Sequence, residues 1–409
     1  MNRKIIIASI VLAVILVVGG GNSYASTLRL LAMGDMQGIV EDETDYEIDI
    51  TSFDFKQKGN ASAGYLSDYF SDSLPQNNTP SDSIADLERK GTRDQYQINA
   101  YYPISSDIAM GIGYGKKTRD FRSSYVNNSG NMQTLKRIGN TEMKSIIMGY
   151  ALTDWFNLGL AYDDNIVNDD CSGTEISREG VIAKENSRLS GLSYGIKLYN
   201  PFFWFNFSMG DVKRGDLTSQ TISTTEVYNS SGSGRASILL GGKLWDGRIR
   251  INCGGFGKKI GYGSQLRSLL GLQIKPSDEL TLGLGYTYDL EYSRYYSRYY
   301  NLASKIGIEY AVPWISTLKL RGGLINRSCD IRSFGWGFGR SSTNFRDYAL
   351  GAGYDWGKAK FDFAYKNYQD VSGLGEDWLT TSTPLSINYV PTFSNERSSM
   401  YVFSVGYEI

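Results

Sequence analysis

Apolar and polar positions alternate along most of this chain. Leu280, Leu282, Leu284, Tyr286 and Tyr288 are separated by Thr281, Gly283, Gly285 and Thr287. Ile108, Met110, Ile112 and Tyr114 are separated by Ala109, Gly111 and Gly113, and Phe361, Phe363 and Tyr365 by Asp362 and Ala364. A period of two places alternate side chains on opposite faces of a strand, one greasy and one small or polar. The last residues follow the same rule, since Tyr401, Phe403, Val405, Tyr407 and Ile409 alternate with Val402, Ser404, Gly406 and Glu408. A free terminal strand of this kind invites aggregation, whereas a barrel that pairs its last strand with its first has no edge.

Seven short turns punctuate the strands: Pro103 to Asp107, Leu152 to Asp154, Tyr199 to Phe202, Trp245 to Gly247, Lys275 to Glu279, Val312 to Ser316 and Asp355 to Lys358. Between them lie long polar stretches, roughly 117–141, 163–189, 212–234, 289–301, 325–343 and 367–396. Alternation of short turns with long loops puts every long loop at one end, the asymmetry of outer-membrane barrels. The pattern therefore predicts an all-β, transmembrane, antiparallel up-and-down barrel of about 14–16 strands over 71–409. Fourteen strands come from the turns, one from the C-terminal strand, and the closing partner is expected within 51–70 or 83–92.

Tryptophan placement points the same way. Trp155, Trp204, Trp245, Trp314 and Trp356 lie in or beside the short turns, where an amphipathic ring suits a membrane interface. They are the expected interface girdle, against the plainer alternative that aromatics favour strand ends.

The first residues carry an address. Arg3 and Lys4 precede an apolar run from Ile5 to Val18, and Ser23-Tyr24-Ala25 forms a small-x-small site. This is the layout of a signal peptide over 1–25, cleaved after Ala25, with outer-membrane lipid and the barrel-assembly machinery as expected partners. The run is too short for the ~20 residues of a helical span.

Composition narrows the chemistry. With 42 Lys and Arg against 43 Asp and Glu, the net charge of −1 argues against nucleic acid as a partner. Gly at 46 and Tyr at 30, with only 8 Pro, suit many Gly-punctuated aromatic strands. There is no histidine, which removes Ser-His-Asp, Cys-His and His-bearing metal chemistry; paired carboxylates stay open as a route to catalysis, but no pair stands out from ordinary loop acids, and neither an enzyme nor a cofactor is expected. Cys171, Cys253 and Cys329 form neither a metal pattern nor a disulfide framework. The Asp163-Asp164-Asn165 and Asn168-Asp169-Asp170 runs lack the spacing of a calcium loop. Ser293 to Tyr300, a tandem Ser-Arg-Tyr-Tyr, reads as an external aromatic belt or a headgroup contact.

Residues 26–66 depart from the hairpin pattern. Arg29, Met33-Gly34, Val40-x-Asp42 and Gly59-Asn60-Ala61-Ser62-Ala63-Gly64 occur in the order found at the start of outer-membrane barrels similar to the long-chain fatty-acid transporter and its secretion-associated relatives. The chain resembles that group over about 40 residues, with Asp35 where a second Gly is usual and Ala61 where Pro is usual. The resemblance implies that this segment, 26–70 as a domain, folds into the lumen as a plug or hatch carrying Arg29, Met33, Gly34, Asp42, Gly59, Asn60 and Gly64. A periplasmic extension with one edge strand is the alternative.

Inward-facing Lys305, Glu309, Lys319, Arg321, Asp362 and Lys366 are expected to line the lumen, either tuning solute selectivity or pairing to close it. These readings imply a passive channel or transporter for small or amphipathic, hydrophobic solutes. A non-enzymatic surface, structural or secretion-associated barrel is the alternative. The solute and the oligomeric state are not encoded in any motif.

Overall fold

The computed structural model describes residues 29–33, 35–36, 39–40, 59–72, 85–126, 132–173, 183–214, 217–220, 225–228, 233–260, 263–293, 297–333, 339–372 and 392–408. The segment 1–25 read as a signal peptide, together with Gly34, Asp42 and Ile409, lies outside them. After a helical turn at 29–32, the described strands are β1 (Asn60–Asp72), β2 (Ala85–Pro103), β3 (Ile108–Val126), β4 (Met132–Thr153), β5 (Phe156–Gly173) and β6 (Ala183–Tyr199). They continue through β7 (Phe203–Arg214), β8 (Leu217–Gln220), β9 (Thr225–Tyr228), β10 (Ser233–Leu244), β11 (Ile249–Ile260) and β12 (Gly263–Ile274). The last six are β13 (Leu280–Ser293), β14 (Ser297–Ala311), β15 (Leu318–Ser333), β16 (Gly339–Trp356), β17 (Ala359–Ser372) and β18 (Thr392–Glu408).

Sixteen of these close a barrel. Each strand pairs antiparallel with its neighbour in sequence, β7 pairs with β10, and β1 pairs with both β2 and β18. The remaining two, β8 and β9, form a short ribbon attached to β6. The seam runs from Asn60↔Glu408 to Tyr69↔Ser399, so the C-terminal strand has a partner on both sides. Closure leaves no ladder edge around the wall, the condition for placing backbone in hydrocarbon.

The outer face is apolar and exposed. Ile306, Leu324, Leu350, Leu270 and Tyr401 point away from the lumen, and each shows about half of its surface. Inward positions are buried and polar, among them Asn252, Gln273, Asp347, Asn157 and Ser404. That inversion of a soluble core is a lipid-facing wall around a polar interior.

All seven expected short turns join strands at one end. Local chemistry shapes them. Arg248 N donates to Trp245 O across Asp246 (φ 53°) and Gly247 (φ 82°), a turn that needs left-handed residues at both central positions. Asn200 Oδ1 accepts from the backbone N–H of both Phe202 and Phe203 at 2.8 Å, standing in for an absent ladder partner.

At the other end the described parts of the expected long loops are strand. β3 and β4 reach Val126 and Met132, so most of 117–141 is a hairpin continuing past the membrane; β4 alone has 22 residues, against about 10 for a span. Polar residue types stand at both parities there in the sequence, so the ladder persists after the alternation that reveals it has ended. A second correction concerns the amino-terminal boundary. Asn60 and Gly64, read with the plug, stand in β1 within the wall, and Gly59 lies immediately before it against the Tyr102 ring. Residues 60–72 are therefore wall, and they supply the closing partner.

Candidate functional site: the barrel interior

The described residues between Arg29 and Val40 lie against inward positions of β11 to β17. Leu30, Met33, Met36, Ile39 and Val40 pack together and are essentially without exposure. A chain can approach the wall this closely only where the wall lacks side chains. A Cβ on Gly307 would stand 2.3 Å from Met33 O, one on Gly285 2.2 Å from Ile39 Cδ1, and one on Gly351 2.5 Å from Ala32 Cβ. Gly271 and Gly283 are similarly covered by Ile39 and Val40. The small half of each strand's alternation thus provides the landing surface.

Polar contacts fix the segment. Arg29 Nε donates to Glu309 Oε2 at 2.9 Å, and Arg321 Nε donates to the same oxygen at 2.7 Å. Arg321 Nη1 also pairs with Asp362 Oδ1. Lys305 Nζ donates to Asp35 O at 2.8 Å and to Asp35 Oδ2 at 3.1 Å. The positive charge of Lys305 holds the Asp35 carboxyl well below the usual carboxylate range. Asn252 Nδ2 donates to Ile39 O at 3.2 Å, itself steadied by Arg250 Nε at 3.2 Å. Asp35 adopts φ 59°, a left-handed conformation that Asp tolerates better than most residues.

Of the six inward residues expected from sequence, Lys305, Glu309, Arg321 and Asp362 join this network. Lys366, also inward and buried, lies 5.4 Å from the Tyr368 ring centroid. Lys319 is held apart, paired with Asp355 at 2.9 Å near the short-turn end. Sequence reasoning missed Asn252 and the glycines opposite the segment. The glycines were visible as the small phase of the alternation, but nothing local marks which of them faces a second chain segment.

The interior continues beyond the segment as a polar wall. Arg327 pairs with Asp347 at 2.7 Å, and Asp289 accepts from Arg267 Nε at 2.5 Å and Asn301 Nδ2 at 3.2 Å. On the seam side, Tyr368 Oη donates to the buried Asp68 at 2.6 Å, with Arg93 3.5 Å away. On β5, Asp163 faces the lumen and pairs with Arg235, whereas Asp164 points to the opposite face, where it pairs with Arg188 at 2.7 Å.

Four of the five girdle tryptophans are exposed beside the short turns: Trp155, Trp245, Trp314 and Trp356. Trp204 corrects the set. It is 7 % exposed and turned inward, with the Arg250 guanidinium 4.5 Å over its ring. Phe203 and Phe205 take the outward positions beside it, so the aromatic run hid the phase of the strand.

No family model and no curated protein matches the sequence. Solved structures do share its fold. The monoaromatic hydrocarbon channel TodX, in a deltaS2S3 mutant form, aligns over 96 % of this chain and 100 % of its own, with 11 % identity and TM-score 0.51. A Pseudomonas aeruginosa FadL homologue aligns over 95 % and 100 %, with 12 % identity and TM-score 0.51. The fold is that of these barrels. At such identity the likeness speaks for architecture, and the chemistry of the interior has to be argued from this chain's own residues.

Proposed function

We propose that the protein is an outer-membrane channel passing small hydrophobic or amphipathic solutes, with its amino-terminal segment as a plug in the lumen. The observation that carries this reading is the multipoint seating of the described residues between Arg29 and Val40 on the inner wall: Arg29 on Glu309, Asp35 on Lys305 and Ile39 on Asn252. A wall built only for stability has no use for five glycines beneath an otherwise dispensable segment. The fold shared with a hydrocarbon channel and a FadL homologue supports the solute class. Export by a signal peptide over 1–25 and an interface role for the four exposed tryptophans belong to the same proposal.

Reconstitution tests it. Proteoliposomes holding the full chain should take up a labelled medium-chain fatty acid or toluene faster than empty vesicles. A variant lacking 26–58 should show larger ion conductance in planar bilayers. Uptake at the empty-vesicle rate in both proteins would remove the channel reading. The tall β3–β4 hairpin favours a second reading, a surface role for the hairpins above the membrane, and that role predicts uptake-negative protein whose binding phenotype depends on 117–141.

A further inference from the structure

The outer surface of β14 to β16 turns abruptly from apolar to polar. Outward positions run Tyr310, Ile308, Ile306 and then Ser304 on β14; Leu320, Gly322, Leu324 and then Asn326 on β15; and Tyr354, Ala352, Leu350, Tyr348 and then Arg346 on β16. Register sets the polar three side by side, with Ser304 opposite Asn326 and Asn326 opposite Arg346. Ser328 and Asn344 face each other in the next row. Arg346 Nε donates to Asn326 Oδ1 at 3.2 Å. The group borders a concavity of about 590 Å³ that Tyr286 and Leu302 also line.

Its depth identifies its surroundings. Exposed Trp314 and Trp356 mark the short-turn edge of the apolar band, and Arg346 stands ten residues from Trp356 along β16. A strand tilted by about 40° climbs roughly 2.5 Å per residue, so ten residues rise about 25 Å, the height of the apolar band of such barrels. Arg346 is thus level with headgroups of the leaflet on the long-loop side. An interfacial arginine alone needs only water. Here it is accompanied by amides and hydroxyls in a hollow, with Ile306, Leu324 and Tyr348 directly below, where acyl chains lie. Arg327, next to Asn326 in sequence, faces the lumen and is taken by Asp347. The carboxylate on this outer face, Asp330, stands one row beyond Ser328 toward the hairpin tips.

We propose that Ser304, Asn326 and Arg346 form a binding site for the phosphate of an anionic lipid headgroup. The guanidinium fork matches phosphate oxygens in two-point geometry, and Asn326 and Ser304 supply further donors. This inference rests on the barrel and its membrane depth, and is independent of whether the lumen conducts.

Native mass spectrometry of the full chain in non-ionic detergent, with dioctanoyl phosphatidic acid as probe, tests it. Wild type should retain the lipid, and Arg346→Gln should bind it about tenfold more weakly, the loss expected for one charge-assisted contact. Arg346→Lys should fall between them. Dioctanoyl phosphatidylcholine, whose phosphate is balanced by choline, should bind more weakly than phosphatidic acid, and equimolar inorganic phosphate should not displace the lipid. Equal retention by wild type and Arg346→Gln overturns the proposal. So does displacement by equimolar inorganic phosphate, equal binding of phosphatidylcholine, or a dimer that Arg346→Gln dissociates. Should Arg346→Gln not fold, an Asn326→Leu, Ser304→Val double variant gives the same reading, with undiminished retention as the overturning result.

Discussion

Arg29 and Glu309 are 280 positions apart in sequence, yet the Arg29 Nε donates to Glu309 Oε2 at 2.9 Å inside the barrel. Glu309 is already held by Arg321 from the neighbouring strand. The wall therefore presents a carboxylate whose orientation is fixed before the amino-terminal segment arrives, and docking costs little further ordering.

That arrangement makes the two partners unequal. Arg29→Ala leaves Glu309 paired with Arg321 and should loosen the segment by about 1.5–3 kcal/mol, the range for a hydrogen bond to a charged group. Glu309→Gln takes the carboxylate from both guanidinium groups at once, Arg321 keeping only Asp362, and should cost more than Arg29→Ala. Limited proteolysis of the segment in folded protein would rank them. Equal protection of wild type and both variants would show that the pair holds nothing.

The Asp35 contact has a defined pH signature. A carboxyl held low in the folded protein contributes stability that is present above its unfolded pKa of about 3.9 and is lost as pH falls through the lower folded value. The difference in segment protection between wild type and Asp35→Asn should accordingly stay constant from pH 8 to about pH 5, and disappear only in stronger acid. A difference already gone at pH 5 would mean that Lys305 is not the group holding it.

Two glycines separate backbone from side-chain crowding. At Gly307 an added methyl meets Met33 O, a backbone atom, whereas at Gly285 it meets Cδ1, the flexible end of Ile39. Gly307→Ala should displace the segment and raise conductance, while Gly285→Ala should be absorbed by a rotamer change of about 1 kcal/mol. Bilayer recordings showing the opposite order would contradict the seating of Met33.

The closing strand gives a folding test. Met400, Val402 and Ser404 are buried on the inner side of β18 while Tyr401 and Phe403 face lipid, and the strand is hydrogen-bonded to β17 and β1. Removing 401–409 opens two ladder edges and should abolish heat-modifiable migration and membrane insertion. A truncated protein that still inserts would deny β18 its closing role.

Much of this architecture is legible in the chain because the membrane imposes a period of two over about ten residues and the short turns interrupt it. Leu280 to Tyr288 and the turn at Trp245 to Gly247 carry those signals locally. The upper parts of β3 and β4 do not, since polar residue types stand at both parities of their sequence. The start of the wall at Asn60 is hidden because Gly59 to Gly64 is a run of small residues with no apolar alternation to mark where β1 begins. The docking of Ile39 on Asn252 was illegible for another reason. It depends on which inward glycines lie opposite a segment more than 200 residues away, and no local pattern encodes that.

Tryptophan fluorescence can test the orientation of the wall itself. Trp155, Trp245, Trp314 and Trp356 are each more than half exposed next to the short turns, whereas Trp204 is buried inside under Arg250. In single-tryptophan variants reconstituted with lipids brominated near the headgroup, the first four should be strongly quenched and Trp204 nearly unquenched, because quenching needs close contact with the brominated chain and the barrel wall intervenes. Removing the Arg250 cation over the ring by Arg250→Leu should also cost about 1–2 kcal/mol of stability at this desolvated site. Quenching of Trp204 as strong as that of Trp245 would place its ring in lipid, reverse the inward phase of β7, and break the register that puts Asn206 and Ser208 on the lumen side.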